Sequence, residues 1–209
     1  MATIGDGTHD PAEAYIGTSG NYEYLTEGYY RSQDAELEGY VHVWPRCRDA
    51  LDAYVVPVAL EKAALAGIAV PDWYLTNEYF PPPAVVYGVN PFSRKFAVVF
   101  TEEERERAAK QLTWNFKYSI CCQRISAETE IVDFSMVAGQ TARPEYSELA
   151  RRVFEVFSLP LANVRVLKTG SLVQLSAIEL LPKRAIGQQE RQWLADLGRS
   201  AHGTNGDLR

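Results

Sequence analysis

The spacing of apolar residues along the chain predicts several helices. The clearest follows Pro144, where six apolar residues recur at the three- and four-residue spacing of one helix face. These are Tyr146, Leu149, Ala150, Val153, Phe154 and Phe157. Another begins at Thr101, which forms a capping box with Glu104. Helical patterns also cover 28–38, 48–66 and 188–197, and Pro57 is expected to split or kink the second of these.

Short apolar or alternating runs predict the strands. They lie at 41–44, 84–89, 96–100, 114–125, 129–137, 159–168 and 171–181. Short polar turns join the fourth to the fifth and the sixth to the seventh, which predicts two antiparallel hairpins. The stretch 70–83 is predicted to be a loop. This order indicates an α+β fold, a single domain in which helices pack on a mixed, mostly antiparallel sheet.

Both ends of the chain lack apolar periodicity and are rich in small and polar residues. We predict a flexible N-terminal lead over 1–20, a folded domain over 21–198 and a flexible tail over 199–209.

Composition and charge exclude several classes of function. The chain has 209 residues, of which 46% are hydrophobic and 23% are charged, as in ordinary globular proteins. Its net charge of −6 and its lack of a basic run argue against a nucleic-acid partner. Its apolar runs are too short to span a bilayer, and its first residues lack the features of a secretory signal. We therefore predict a cytoplasmic protein with neither a nucleic-acid nor a membrane partner.

Few residues offer obvious chemistry. Cys47, Cys121 and Cys122 form no C-x-x-C pair and the three histidines are scattered, so we predict no disulfide framework and no metal site. Adjacent cysteines on a strand point to opposite faces, and we expect both to pack in the core. The chain has neither a phosphate-binding glycine motif nor a G-x-S-x-G motif, so its catalytic residues remain unassigned.

The predicted helix over 28–38 is unusual because its apolar stripe is poor. It could lie exposed at a sheet edge, stabilised by ion pairs of Arg31 with Asp34 or Glu38, or its polar face could line a ligand cleft. The candidate ligand-binding residues are Tyr29, Tyr30, Arg31, Ser32 and Glu36, with His42 on the next strand and Gln140 after Gly139. His42 could equally be a hydrogen-bonded edge residue, and Gly139 a simple strand terminator.

Two motifs resemble the RimK-like ATP-grasp N-terminal domain (RLAN) family. The first is "YLTEGYYRSQDAELEG" followed by "VHVWP". Its matching residues are Gly28, Tyr29, Tyr30, Ser32, Ala35, Glu36, Gly39 and Pro45. The second is "VDFSMVAGQ" followed by "ELARRVFEVFSLPLANVRVL". Its matching residues are Gly139, Ala150, Phe154, Phe157, Pro160 and Leu161. The chain departs from the family where a basic residue and Gly-His are usual, since Glu38, Gly39 and Tyr40 stand there.

The resemblance implies an accessory role. Such a domain normally precedes an ATP-grasp module, which has nucleotide-contacting lysines and Mg²⁺-binding carboxylates and joins a carboxylate to an amine through an acyl phosphate. This chain is expected to lack that module and to be non-catalytic, docking substrate for a separate ATP-grasp ligase of peptide-like or amino-acid metabolite biosynthesis. It would bind no cofactor itself, with ATP and Mg²⁺ on the partner, and its own ligand could be a small amino acid or carboxylate.

Other roles stay open beside this one. Trp73 and Tyr74 are candidates for the partner interface, because exposed aromatic residues suit an interface centre. The alternative is a free-standing small-molecule-binding protein or enzyme, with Glu36 as general base and Arg31 as anion clamp in a cleft beside the 28–38 helix. A structural subunit is a third interpretation.

Overall fold

The computed structural model describes residues 14–89 and 95–203, with side chains described as far as residue 199. Six helices run through this part of the chain. They are α1 (Glu27–Leu37), α2 (Cys47–Tyr54), α3 (Val56–Leu65), α4 (Glu102–Leu112), α5 (Ser147–Phe157) and α6 (Gln188–Gly203). No helix in the described ranges is both long and apolar enough to cross a membrane.

The strands form three separate sheets. They are β1 (Ala14–Ile16), β2 (His42–Trp44), β3 (Trp73–Thr76), β4 (Ala84–Gly88), β5 (Phe96–Val99), β6 (Ile120–Arg124), β7 (Glu130–Val137), β8 (Leu161–Thr169) and β9 (Leu172–Glu179). Strands β1 and β2 pair in parallel. The four-stranded sheet has the order β3-β6-β4-β5 and the three-stranded sheet the order β7-β8-β9, and both are antiparallel. The predicted α+β fold with mostly antiparallel pairing is therefore confirmed.

One face of the three-stranded sheet is covered by α2, α3 and α5. The predicted stripe of α5 faces this core, with Ala150, Val153 and Phe157 fully buried. Tyr146, just before α5, stacks on Phe134 of β7 with ring centroids 4.8 Å apart. Local periodicity was therefore sufficient to identify this helix and the face that it buries.

Other elements pack against both faces of the four-stranded sheet. Helix α4, which begins with the predicted capping box, covers the face that includes Cys122. The opposite face, with Tyr87 and Cys121, packs against Leu60 of α3 and against the β8–β9 hairpin. The two cysteines thus lie in different core clusters, as their adjacent positions on a strand predicted. Burial raises the pKa of each thiol to about 12.

Helix positions were predicted better than strand pairing. The split of 48–66 is confirmed, since α2 ends before α3 begins. The hairpin predicted over 114–137 is wrong, because β6 has β3 and β4 as its neighbours whereas β7 pairs with β8. The loop predicted over 70–83 contains strand β3. Both errors concern partners that are distant in sequence, which local pattern does not show.

The ends of the fold also differ from the prediction. Strand β1 pairs with β2, and the amide of Gly17 donates to the carbonyl oxygen of Trp44 at 2.6 Å. Residues 14–20 therefore belong to the fold, and the predicted lead is corrected accordingly. Helix α6 continues to Gly203, into the predicted tail. Residues 1–13 and 204–209, the rest of the predicted lead and tail, lie outside the described residues, as does the turn at 90–94.

Candidate functional site

The face of the three-stranded sheet opposite α5 carries a group of polar side chains. Five of these residues are neighbours through the strand register, which sets Asp133 opposite Arg165, Ser135 opposite Asn163, and Asn163 opposite Glu179. We call this group the polar face. The alternate residues of the same strands lie in the core against α5. The polar face therefore follows directly from the two-residue period of a strand.

Apolar contacts close the polar face at both ends. On one side Leu167 and Ala177 pack against Tyr87 of the four-stranded sheet. On the other, Leu161 packs with Leu194 of α6. The polar side chains thus lie in a gap between the four-stranded sheet and α6. A pocket of about 230 Å³ opens beside α6 and is lined in part by Asp133, Ser135 and Asn163.

Arg165 is the centre of the polar face. Its side chain is buried, and its Nη1 donates to Glu179 Oε1 at 2.6 Å. Its Nη2 donates to Asp133 Oδ2 at 3.0 Å, and its Nε lies 2.9 Å from Asp133 Oδ1. The guanidinium carbon also lies 3.8 Å from the ring centroid of Phe96. Burial acts to lower the pKa of Arg165, but the hydrogen bond to Asp133 and the charge of Glu179 help to raise it above its ordinary value.

A second set of buried polar groups connects the two large sheets. Ser176 Oγ donates to Gln123 Oε1 at 2.6 Å, and Gln123 Nε2 donates to the Ser176 carbonyl oxygen at 2.8 Å. Tyr87 Oη lies 2.7 Å from Ser176 Oγ and, because that hydroxyl already donates to Gln123, Tyr87 is the donor. Ser176 is the extra residue of a β-bulge, where the β8–β9 register shifts. Burial raises the pKa of Tyr87 to about 12, against the opposing charge of Arg165.

A larger cleft lies elsewhere, between α3 and β3. It has a volume of about 880 Å³ and we call it the α3 cleft. Trp73 and Leu75 form one wall, and Val58 and Leu65 of α3 form another. Seven of its thirteen lining residues are apolar and six are charged, so it combines an apolar surface with polar groups that could orient a ligand.

The predicted aromatic and basic residues of α1 lie at its surface. Tyr29 contacts both Tyr24 and Tyr30 edge-on, with ring centroids 5.2 and 5.7 Å apart. Arg31 pairs with Glu27 at 2.6 Å, one turn earlier, and not with the predicted acidic partners further along the helix. Both side chains of this pair are largely exposed, so the pair contributes little to stability.

Ser32 and Glu36 have local structural partners. Ser32 is buried and its hydroxyl donates to the Gly28 carbonyl oxygen at 3.0 Å. Glu36 Oε1 accepts the backbone N–H of Cys47 at 2.6 Å, at the first residue of α2. A carboxylate in this position satisfies a free amide and complements the positive end of the helix dipole. Burial and, to a smaller extent, the negative charge of Glu36 raise the pKa of the Cys47 thiol to about 11.

The other predicted ligand-binding residues lie on different elements. His42 stacks on Trp44 within β2, with ring centroids 5.4 Å apart. Gln140 is exposed and forms two backbone hydrogen bonds with Val137 across a tight turn. The seven predicted residues are therefore distributed over α1, the parallel pair and the end of the three-stranded sheet.

Trp73 and Tyr74 point to opposite faces of β3. Trp73 packs with the cluster that includes Leu60 of α3, whereas Tyr74 packs with the cluster under α4. Each ring is partly exposed. Replacing both together would therefore test two surfaces at once, and the residues are better examined singly.

The polar network was missed by sequence reasoning. Arg165, Gln123 and Ser176 each stand inside an apolar strand segment. A charged or amide residue at such a position was a signal that could have been followed, since buried polar groups need partners. Its partners lie on other strands, which the sequence does not place.

A family model described as "RimK-like ATPgrasp N-terminal domain" matches residues 84–197, more than half of the chain. The chain belongs to the RLAN family. The matched span contains the second of the two motifs on which the resemblance rested, and the first motif, at 24–45, lies before it. A search of curated proteins found no match.

Solved structures with a similar fold are ATP-grasp ligases. The D-alanine–D-alanine ligase of Helicobacter pylori aligns with a TM-score of 0.61 and 15% identity, covering 88% of this chain and 69% of the ligase. A RimK domain ATP-grasp protein of Sphaerobacter thermophilus gives 0.55 and 18%, covering 80% and 76%. The ATP-grasp ligase PsnB, complexed with a precursor peptide and AMPPNP, gives 0.53 and 10%, covering 83% and 66%. This RLAN chain is thus an ATP-grasp-related domain.

The ATP-grasp fold implies ATP and Mg²⁺, and a polar face that held Mg²⁺ would need free oxygen ligands for it. Carboxylate oxygens are the usual protein ligands of Mg²⁺. On this face both carboxylates, Asp133 and Glu179, already bind the guanidinium of Arg165. Across residues 14–89 and 95–199, moreover, no three His, Cys, Asp or Glu residues cluster as a metal site would require. The polar face therefore does not fit the metal.

Proposed function

We propose that this RLAN chain is a non-catalytic accessory or substrate-docking subunit of an ATP-grasp ligase that joins a carboxylate to an amine. The ligase would be a separate polypeptide that supplies ATP and Mg²⁺. The RLAN chain would hold or orient one of the two substrates, in the biosynthesis of a peptide-like or amino-acid metabolite.

The observation that carries this proposal is the position of Arg165. Its guanidinium binds two carboxylates at 2.6 and 3.0 Å, on the face that lies between the four-stranded sheet and α6. A guanidinium stays protonated at any physiological pH, so it is a permanent positive charge. Because it satisfies both acids, the face offers them neither to a metal ion nor to a proton-transfer step. This favours a role in which the reaction takes place on another chain.

The proposed substrate class follows from proteins whose solved structures have a similar fold. PsnB was solved with a precursor peptide, and the H. pylori enzyme is a D-alanine–D-alanine ligase. At 10% and 15% identity these similarities show the fold alone. We propose a peptide-like or amino-acid substrate on this basis, together with the carboxylate–amine chemistry expected of the partner.

The first test is nucleotide binding by the chain alone. Isothermal titration calorimetry with ATP and Mg²⁺ should show no Mg²⁺-dependent binding, and a coupled assay should detect no ADP release in the presence of mixed amino acids. Mg²⁺-dependent binding, or turnover above that of heat-denatured protein, would overturn the non-catalytic role and favour a free-standing enzyme.

The second test asks for the accessory role directly. An ATP-grasp ligase encoded beside this chain is assayed for ADP release with and without equimolar RLAN chain. We expect the chain to raise the ligase's kcat/KM for its substrate, and the two proteins to co-elute on size-exclusion chromatography. An unchanged rate with no co-elution would contradict the proposal for that ligase.

A further inference from the structure

We propose that the α3 cleft is a binding site for an amphipathic anion, a molecule with an aromatic or aliphatic body and one carboxylate or similar anionic head. This proposal does not rest on the accessory role. It concerns a site separate from the polar face, and it requires neither ATP nor a partner protein.

The apolar walls of the cleft provide the first part of the argument. Val58 and Leu65 of α3 are 41% and 81% exposed, and Leu75 of β3 is 51% exposed. Trp73 is half-buried beside them, so a planar surface is available for a ring or an alkyl chain. At about 880 Å³ the cleft lies within the range of roughly 300–1,000 Å³ that is usual for small-molecule sites.

The charges at the margin provide the second part. Two of the acids there, Asp49 and Asp52, both bind Lys62, at 2.6 and 3.3 Å. Arg48 approaches Asp52 only at 4.0 Å and is otherwise exposed. Arg46 forms no ion pair with any described residue. Lys62 thus offsets part of the charge of these two acids, and Arg46 and Arg48 are the guanidiniums of the lining that can bind an anionic head.

Glu61 of α3 also lines the cleft and is the acid that Lys62 does not bind. It would repel an anion that approached it closely. An anionic ligand should therefore place its head at Arg46 and Arg48, at the start of α2, and its apolar body along Trp73 and Leu65. A carboxylate bound by arginine side chains gains charge-assisted hydrogen bonds, which fixes that orientation.

The test compares two probes that differ only in the head group, 4-phenylbutyrate and its neutral amide, 4-phenylbutyramide. We expect the full-length protein to bind the carboxylate at least tenfold more tightly than the amide in isothermal titration calorimetry. Arg46→Ala combined with Arg48→Ala should abolish that difference. Arg107→Ala, which removes an exposed arginine of α4 that pairs with Glu103, is the matched control and should preserve it.

Two more variants separate the head from the body. Trp73→Ala should weaken both probes by a similar factor, and Glu61→Gln should leave the carboxylate bound as well or better. All variants are checked for an unchanged melting temperature without ligand. Equal affinity for the two probes, no binding of either, or an undiminished preference in the double arginine variant would each overturn the proposal.

Discussion

Replacing Arg165 with alanine tests whether its ion pairs hold the fold together. The substitution removes a buried guanidinium and leaves Asp133 and Glu179 without their cation. It also removes the contact with the ring of Phe96 at 3.8 Å. The variant should therefore fold less stably.

The size of the effect follows from the burial of the three charges. Removing one partner of a fully buried ion pair costs about 3–5 kcal/mol, because the remaining charge is left uncompensated. Here the Asp133 and Glu179 side chains are 44% and 26% exposed, so water partly replaces the guanidinium. We therefore expect the ion pairs to account for about 2–3 kcal/mol, and the cation–π contact for about 0.5–1 kcal/mol more.

Urea unfolding and thermal unfolding both measure this difference. In a domain of about this size, 1 kcal/mol corresponds to about 2–4 °C in melting temperature, so Arg165→Ala should lower it by roughly 5–16 °C. Arg107→Ala is the matched control, because its pair with Glu103 at 3.6 Å is exposed and should contribute less than about 1 kcal/mol. Arg165→Lys should be intermediate, since an ammonium keeps the charge but lacks the planar fork.

A triple variant identifies the cause of the loss. If unpaired carboxylates destabilise Arg165→Met, then adding Asp133→Asn and Glu179→Gln to it should recover part of the stability. A loss in Arg165→Ala no larger than that in Arg107→Ala would refute the reasoning, and so would a triple variant less stable than Arg165→Met alone.

Three further predictions concern other parts of the fold. A Cβ on Gly20, which has a φ of +68°, would overlap a backbone carbonyl oxygen, whereas one on Gly39, at +83°, would meet nothing within 4 Å. Urea unfolding should therefore show a larger loss for Gly20→Ala than for Gly39→Ala, which should cost about 1–2 kcal/mol, and equal losses would count against the close packing of residues 14–20. The pKa values of Cys121 and Cys122 are raised by burial from about 9 to about 12, so their contribution to stability is full below about pH 9 and falls as the pH rises towards 12, by on the order of 1 kcal/mol per thiol between pH 8 and pH 10. Urea unfolding at both pH values measures this loss. The double variant Cys121→Ala/Cys122→Ala should lose less free energy of unfolding between pH 8 and pH 10 than the wild type, and an equal loss in both proteins would contradict the prediction. Glu36→Ala should cost about 1 kcal/mol by removing the acceptor at the start of α2, and Glu36→Gln should cost less; equal melting temperatures for both variants and the wild type would exclude this structural role.

The parts of the fold that were predictable are those decided by neighbouring residues. The capping box at Thr101 and the apolar stripe after Pro144 are patterns within a few turns of chain, and both helices are where those patterns placed them. The β8–β9 hairpin was also predictable, because its Thr169–Gly170 turn is local. The second family motif lies in this same region, which is why the resemblance identified the family correctly.

Strand order was not predictable, because it depends on distant partners. Strand β6 could have paired with β7, which follows it after a short turn, but it lies between β3 and β4 instead. There its two cysteine side chains point to opposite faces of the sheet and are buried in different core clusters. Cys121 faces α3 and the β8–β9 hairpin, and Cys122 faces α4. A hairpin with β7 would have left β4 and β3 without a strand between them. The pairing partners of β6 therefore depend on contacts across the whole sheet, and the sequence near β6 does not indicate them.

The site was not predictable for a related reason. The residues of α1 attracted attention because they are polar, yet Ser32 and Glu36 are bonded within their own helix or to the next one. Arg165 attracted none, because an arginine on a strand is equally compatible with a solvent-facing position in the two-residue alternation. Arg165 differs from these α1 residues in the sequence distance to its partners, because it binds acids 32 and 14 residues away on the two neighbouring strands. In this domain the buried polar network is therefore marked by side chains that bind partners distant in sequence, and not by the segment that is richest in polar residues.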